Sequence, residues 1–134
     1  MLLKRITYGK LNSKQKENYN FAKVASALAD YGYNSIKLND DYKGADFIAL
    51  HINGKDSLMI QLKGRWTIDK KYLGKNLYIA YINHAKDEVW IYNHDDVVKK
   101  CKKFVDYTKS DSWIKFGGYS NKHPEKLIPL MTKL

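Results

Sequence analysis

The sequence predicts an α/β (α+β mixed) domain with an αβββ-β core, in which helices flank both faces of a central mixed sheet of four to five strands. Three observations favour this class: a long segment with helical spacing of apolar residues comes first, several short alternating segments follow, and a second helical segment comes after them. At 134 residues the chain is long enough to bury one core. We therefore expect residues 1–134 to form a single domain.

The first element is a helix over Ser13–Tyr31, with Ser13 as the N-cap and Gly32 as the C-terminal stop. Its buried stripe follows helical spacing and consists of Phe21, Val24, Ala25 and Leu28. A short strand is expected next, over Asn34–Leu38.

Four further strands form two predicted pairs. Ala45–Ile52 and Ser57–Lys63 are joined at Asn53-Gly54, a dipeptide that is the strongest short-range signal for a hairpin. Leu77–Ile82 and Glu88–Tyr92 form the second pair. Between the two pairs, the chain is expected to form a basic loop.

Two helices are predicted towards the C-terminus. The first covers Asp95–Tyr107, and its apolar side consists of Val97, Val98, Cys101, Phe104 and Val105. The second is short and begins at Pro124, because proline suits the first position of a helix. The element order is therefore α-β-β-β-β-β-α, ending with a short helix.

The composition favours a folded and strongly basic protein. Lysine and arginine number 24 against 14 aspartate and glutamate residues, which gives a formal net charge of +10. This excess is typical of proteins that bind nucleic acid, although a solvated lysine-rich surface produces it too. No segment has the length of a membrane span or the pattern of a signal peptide, and the lone Cys101 excludes an internal disulfide. We expect a cytoplasmic protein with no membrane partner.

Polar residues interrupt one face of the predicted hairpin. A two-residue loop at Asn53-Gly54 places Asp46 opposite Gln61, whereas a four-residue loop places Asp46 opposite Lys63. Either register brings Asp46, Gln61 and Lys63 to one face, within side-chain reach. The first helix adds Glu17, which continues the buried stripe by one turn, where a carboxylate needs a partner.

These four residues suit metal-assisted hydrolysis. Mg²⁺ prefers oxygen ligands, which Asp46, the Gln61 side chain and the backbone carbonyl of Leu62 would supply. Lys63 would orient or deprotonate the attacking water and balance phosphate charge. The alternative is structural: an Asp46–Lys63 ion pair across the strands, with Glu17 reaching solvent at the helix end. Convergence from three separate elements favours the catalytic interpretation.

The order and spacing of Glu17, of Gly44-Ala45-Asp46 and of Gln61-Leu62-Lys63 resemble the PD-(D/E)XK nuclease superfamily over about residues 13–92. That family has an acid on a leading helix, an Asp at the start of a strand and an acid-x-Lys on the next strand. The resemblance implies that Asp46 binds metal, Lys63 is the catalytic lysine and Glu17 serves a metal or water. Gln61 stands where the family has its second acid, which removes one negative charge, and Gly44-Ala45 replaces the nominal proline.

The resemblance implies an Mg²⁺-dependent DNA endonuclease, with Mn²⁺ as a substitute, that leaves 5′-phosphate products. Restriction, homing and junction-resolving roles all suit a chain of this size. Because one site cuts one strand, we expect a homodimer or a higher homo-oligomer. The alternatives are a non-catalytic nucleic-acid-binding protein that keeps the nuclease fold, and an enzyme that processes RNA.

Contacts with nucleic acid are predicted in the segment after Lys63, where cations and aromatic rings alternate. The candidate residues are Arg65, Trp66, Lys70, Lys71, Tyr72 and Lys75. Arg65 ranks first as a contact to the DNA backbone because it lies two residues beyond Lys63 with the same strand parity. For Trp66 a ring buried in the core is the alternative.

Overall fold

The computed structural model describes residues 2–122 and 124–134. The first part of the chain contains helix α1 and five strands, with 3₁₀ turns at Tyr8–Lys10 and Lys70–Tyr72. Their bounds are α1 Ser13–Ala29, β1 Tyr33–Tyr42, β2 Ala45–His51, β3 Ser57–Lys63, β4 Trp66–Asp69 and β5 Leu77–Asn83.

The second half contains three strands, one α-helix and several short helical turns. The bounds are β6 Glu88–Asn93, α2 His94–Cys101, β7 Gly118–Asn121 and β8 Thr132–Lys133. The turns are 3₁₀ at Tyr107–Lys109, π-helical at Ser112–Phe116 and 3₁₀ at Glu125–Leu130. The described part of the chain contains no helix that is long and apolar enough to cross a bilayer.

The main sheet of the described residues has six strands in the order β1-β2-β3-β5-β6-β8. β3 and β5 are parallel, whereas the other neighbouring strands are antiparallel. β4 and β7 form a separate antiparallel pair. The predicted fold class, a mixed sheet flanked by helices, is confirmed. The sheet is wider than the predicted four to five strands because β8 adds a sixth strand at one edge, and the two residues of β8 carry too little sequence pattern to be predicted.

The two faces of the main sheet have separate cores. Helix α1 covers one face, with the buried residues Val24, Leu28, Phe47, Ala49, Ile60, Ala80, Ile82 and Val89. Helix α2 and the β4–β7 pair contribute to the core on the other face, where the buried residues include Trp66, Ile68, Ile79, Tyr81, Val97 and Cys101. The site predicted from the sequence lies near the start of α1, at the end of the sheet where β2 begins and β3 ends.

The segment predicted as a basic loop contains a strand. A parallel pair such as β3 and β5 needs a crossover of a dozen or more residues, and residues 64–76 provide it. Within this crossover, Trp66 and Ile68 are fully buried while Thr67 and Asp69 are only partly buried. This alternation is that of a β-strand, β4. A strand of four residues is too short to be recognised from its pattern within a lysine-rich segment.

Helix α1 is capped one residue earlier than predicted. The Asn12 side chain accepts a hydrogen bond from the Gln15 N–H, and the Gln15 side chain accepts one from the Asn12 N–H, both at 2.9 Å. This reciprocal capping box makes Asn12 the N-cap and Ser13 the first helical residue, so the assignment of Ser13 as the cap is wrong. The helix ends at Ala29, and Gly32 follows with a φ of +86°.

Helix α2 is shorter than the predicted Asp95–Tyr107. It ends at Cys101, after which the chain turns back on itself. The turn brings Tyr107 beside the helix, where its hydroxyl donates to the Val98 carbonyl at 3.2 Å and its ring is buried. A continuous helix would carry Tyr107 away from this position, so burial of the tyrosine favours the early end.

Candidate functional site

The hairpin adopts the register that places Asp46 opposite Gln61. Phe47 pairs with Ile60, and one further step along this antiparallel ladder brings Asp46 to Gln61. At this end of the ladder, the Asp46 carboxylate accepts a hydrogen bond from the Leu62 N–H at 2.8 Å. The Asp46 side chain is therefore fixed against the backbone of β3.

The four residues that sequence reasoning grouped together line one cavity of about 620 Å³. They are Glu17, Asp46, Gln61 and Lys63. Asp46 lies near the start of β2 and Lys63 ends β3, so the antiparallel pairing brings both to one end of the sheet. The predicted shared pocket is thus present, while the catalytic roles of its residues remain predictions.

Glu17 lies at the rim of the cavity rather than on the buried stripe of α1, so its predicted burial is wrong. Its side chain is 52% exposed, and its carboxylate pairs with Lys37 at 3.2 Å and with Lys14 at 3.5 Å. The hydrogen bond from Lys37, aided by the charge of Lys14, lowers the pKa of the Glu17 carboxyl. The buried stripe therefore stops at the half-buried Phe21, which packs against the core on the α1 face.

Lys37 is a member of the site that sequence reasoning missed. It lies on β1 opposite Phe47, the residue that follows Asp46. Its ammonium contacts both Glu17 and Asn18. Its position on the strand beside the predicted hairpin was the signal that could have identified it. Asn20 and Asp40 also line the cavity and were likewise not singled out.

Lys63 and Lys71 both place their ammonium groups near the Tyr72 ring. The distances from Nζ to the ring centroid are 5.5 Å for Lys63 and 5.1 Å for Lys71. Burial raises the pKa of the Tyr72 phenol, and the charge of Asp46 contributes in the same direction. The ring is therefore a neutral wall of the cavity against which two cations rest.

The predicted nucleic-acid residues divide into groups. Lys71 and Lys75 line the cavity, which places their charges beside the proposed site. Arg65 is exposed and lines a neighbouring cavity that also includes Lys63. Lys70 places its ammonium 5.1 Å from the Trp113 ring, outside the lining of the first cavity.

The two aromatic candidates in this segment are buried. Trp66 is 0% exposed and stacks on Tyr92 with a centroid distance of 6.0 Å, and Tyr72 is 4% exposed. The fully buried Trp66 ring cannot offer its face to a base, so the prediction that Trp66 stacks on nucleic acid is wrong. Tyr72 lines the cavity, and its contact with nucleic acid stays a prediction. Both rings also belong to the core on the α2 face.

The oxygen atoms of the cavity suit a hard cation with few charged ligands. Asp46 supplies a carboxylate, Gln61 an amide oxygen and Leu62 a backbone carbonyl, and all three residues line the cavity. Within the described ranges, no three His, Cys, Asp or Glu residues are grouped so that they could hold a metal ion. These oxygen donors are of the kind that Mg²⁺ takes when it keeps several waters, and one carboxylate among them would bind it more weakly than two acids would.

Comparisons of the chain with protein-family models, with curated proteins and with solved structures each find no match. The geometry and chemistry of the cavity are therefore the basis for assigning a function to the protein.

Proposed function

We propose that the protein is an Mg²⁺-dependent DNA endonuclease of the PD-(D/E)XK type, which hydrolyses phosphodiester bonds. One observation carries the proposal: Glu17, Asp46, Gln61 and Lys63, which come from α1, β2 and β3, line the same cavity. The alternative is that Asp46 and Lys63 form a structural ion pair, in which case neither residue would be needed for cleavage.

Each residue has a role that its position supports. Asp46, the Gln61 amide oxygen and the Leu62 carbonyl would hold the metal, which when bound supplies Lewis-acid activation of water and phosphate. Lys63 would neutralise charge on the scissile phosphate and orient the attacking water. Glu17 stays ionised because Lys37 donates to it, so its carboxylate is ready to accept a hydrogen bond from that water.

Lysines around the cavity support binding of the DNA backbone. Lys71 and Lys75 lie on its wall, and Arg65 extends the basic surface beyond Lys63. Cations of this kind bind phosphates without reading sequence, and they make affinity fall steeply with salt. The net charge of +10 is consistent with such a surface.

The proposal includes a homodimer, because cleavage of both strands needs two sites. The proposed endonuclease could act on the DNA substrates of restriction, homing or junction-resolving enzymes. A cytoplasmic location also belongs to the proposal and agrees with the buried free thiol of Cys101.

A non-catalytic DNA-binding protein is the second candidate. It is favoured by the absence of a three-residue metal-ligand group among the described residues, and by the bond that ties the Asp46 carboxylate to the Leu62 N–H. In this interpretation the cavity binds phosphate through its lysines and cuts nothing.

Plasmid nicking in Mg²⁺ tests the proposal. Asp46→Ala and Lys63→Ala are each expected to lower the nicking rate by about a hundredfold or more, because they remove the metal ligand and the cation beside the phosphate. Lys99→Ala is the matched control, since this exposed lysine of α2 lies outside the cavity. Binding of the same plasmid in EDTA should persist in all variants.

The substrate panel should include linear, supercoiled, single-stranded and four-way-junction DNA, and RNA. If the wild-type protein binds plasmid tightly but never nicks any DNA with Mg²⁺ or Mn²⁺, the nuclease proposal fails and the binding protein replaces it. Preferential cleavage of RNA would instead identify an RNA-processing enzyme.

A further inference from the structure

Phe116 has the most exposed aromatic side chain among the described residues, at 81%. It ends the π-helical turn Ser112–Phe116, and Gly117 follows with a φ of +75°. A large apolar side chain left in solvent at such a turn suggests a role outside the core.

The base of this turn is well anchored. The Lys70 N–H donates to the Gly117 carbonyl at 2.8 Å, and the Gly117 N–H donates to the Trp113 carbonyl at 3.0 Å. β7 begins at Gly118 and pairs with β4. Phe116 therefore projects from a backbone that is hydrogen-bonded to the β4–β7 pair.

Phe116 lines a second cavity, of about 410 Å³, which includes Lys63 and Arg65. Lys63 lines both cavities, so the two sites are contiguous. The second cavity also includes Asp69, whose carboxylate accepts a hydrogen bond from the Lys71 N–H at 3.0 Å. Lys63 and Arg65 outnumber the carboxylate of Asp69, so the lining of the second cavity carries a net positive charge.

We propose that Phe116 is a stacking platform for an unpaired DNA base next to the phosphodiester held at Lys63. The inference depends on the proposed function for the position of the scissile bond, and it deepens that function by naming a substrate class: DNA with a single-stranded stretch beside the cut. Every base offers a π-face to an exposed ring, whereas the bases of a duplex already stack on one another. Arg65 and Lys63 supply the phosphate contacts that such a strand requires.

The basic surroundings of Phe116 favour nucleic acid over an apolar protein partner. Lys115 precedes it and is exposed, the Lys70 N–H donates to the Gly117 carbonyl, and Arg65 lines the same cavity. An apolar partner would have to desolvate these cations, while a DNA strand would pair them with its phosphates.

Fluorescence anisotropy in EDTA tests the proposal, using a labelled single-stranded oligonucleotide and the same sequence as a duplex. Phe116→Ala is expected to weaken binding of the single strand about tenfold and of the duplex by less than about twofold, because only the single strand loses a stacked base. Phe116→Trp should retain wild-type affinity for the single strand. Phe104→Ala is the matched control, since Phe104 is 40% exposed and lines neither cavity.

Several outcomes would overturn the inference. They are an unchanged affinity of Phe116→Ala for the single strand, an equal loss on single strand and duplex, or an equal loss in Phe104→Ala. Tighter binding of an RNA strand of the same sequence would overturn the choice of DNA.

Because the assay contains no divalent metal, its result is independent of cleavage. Strand binding that depends on Phe116 without any nicking would refute the nuclease and leave this inference standing. Nicking by the wild-type protein, together with unchanged strand binding by Phe116→Ala, would support the nuclease and refute this inference.

Discussion

Gln61 sets the charge of the proposed metal site. Its amide offers an oxygen to a cation but no negative charge, and its nitrogen donates to the Leu62 carbonyl at 3.4 Å. Asp46, opposite Gln61, is then the one carboxylate among the three proposed ligand residues. The missing negative charge at Gln61 should therefore weaken the binding of Mg²⁺.

Gln61→Glu should lower the Mg²⁺ concentration needed for half-maximal nicking by about tenfold, because the added carboxylate strengthens oxygen ligation of a hard cation. Titration of the nicking rate with Mg²⁺ measures the change, and calorimetric titration of Mg²⁺ alone provides a readout without DNA. Gln61→Leu is the matched control, which removes the oxygen and should raise the requirement. An unchanged requirement in both variants would exclude Gln61 from the metal site.

The Glu17–Lys37 pair has a defined pH dependence. The pKa of the Glu17 carboxyl is below its usual value in the folded protein, chiefly through the hydrogen bond from Lys37. The pair therefore contributes its stabilisation above the usual pKa of a glutamate and loses it as the pH falls through the lowered folded value. At neutral pH the carboxylate remains charged and available at the rim of the cavity.

At the scale of elements, α1 positions one end of the site through its cap. The reciprocal bonds of Asn12 and Gln15 define where the helix begins, and Glu17 follows within the next turn. The cap thereby determines which residue of the helix meets Lys37.

Asn12→Ala should lower the free energy of unfolding by about 1 kcal/mol, because it leaves the Gln15 backbone N–H without its side-chain acceptor. Urea denaturation followed by circular dichroism measures the loss. Ser13→Ala is the matched control, since Ser13 is the first helical residue, and it should change stability by much less. A larger loss for Ser13→Ala than for Asn12→Ala would contradict the assignment of the cap.

At the scale of the whole molecule, the sheet face opposite α1 carries an uncharged patch on β1, β2 and β3. Ile36 is 47% exposed and Leu50 is 43% exposed. The strand pairing places six residues on this patch: Asn34, Ile36, Ile48, Leu50, Ser57 and Met59. In a chain with a net charge of +10, two copies repel least where both are uncharged, so this face suits the proposed homodimer.

The wild-type protein should sediment as a dimer, and Leu50→Lys should sediment as a monomer, because a lysine on each copy would be buried against the other. Sedimentation velocity measures the difference. Ile128→Lys is the matched control, since Ile128 is also 43% exposed but lies on the 3₁₀ helix Glu125–Leu130. A wild-type monomer at all concentrations, or a dimer that survives Leu50→Lys, would exclude this interface.

Local patterns in the sequence were enough for the fold class and for the grouping of the site. Period-two alternation and the Asn53-Gly54 turn placed Asp46 and Gln61 on neighbouring strands, and the register of the pair agrees with one of the two predicted. These signals are reliable because the hydrogen bonding and side-chain alternation of a hairpin are determined by residues that are close together in the sequence.

Tertiary packing decided which side chains were available for function. Trp66 and Phe116 are both aromatic residues near lysines in the sequence, yet Trp66 is fully buried and Phe116 is 81% exposed. Glu17 was expected in the core and lies at the rim beside Lys37 of β1. Exposure and charge pairing depend on segments far apart in the chain, so the sequence by itself determined the elements and the polar grouping, while only the packed structure decided what the site can touch.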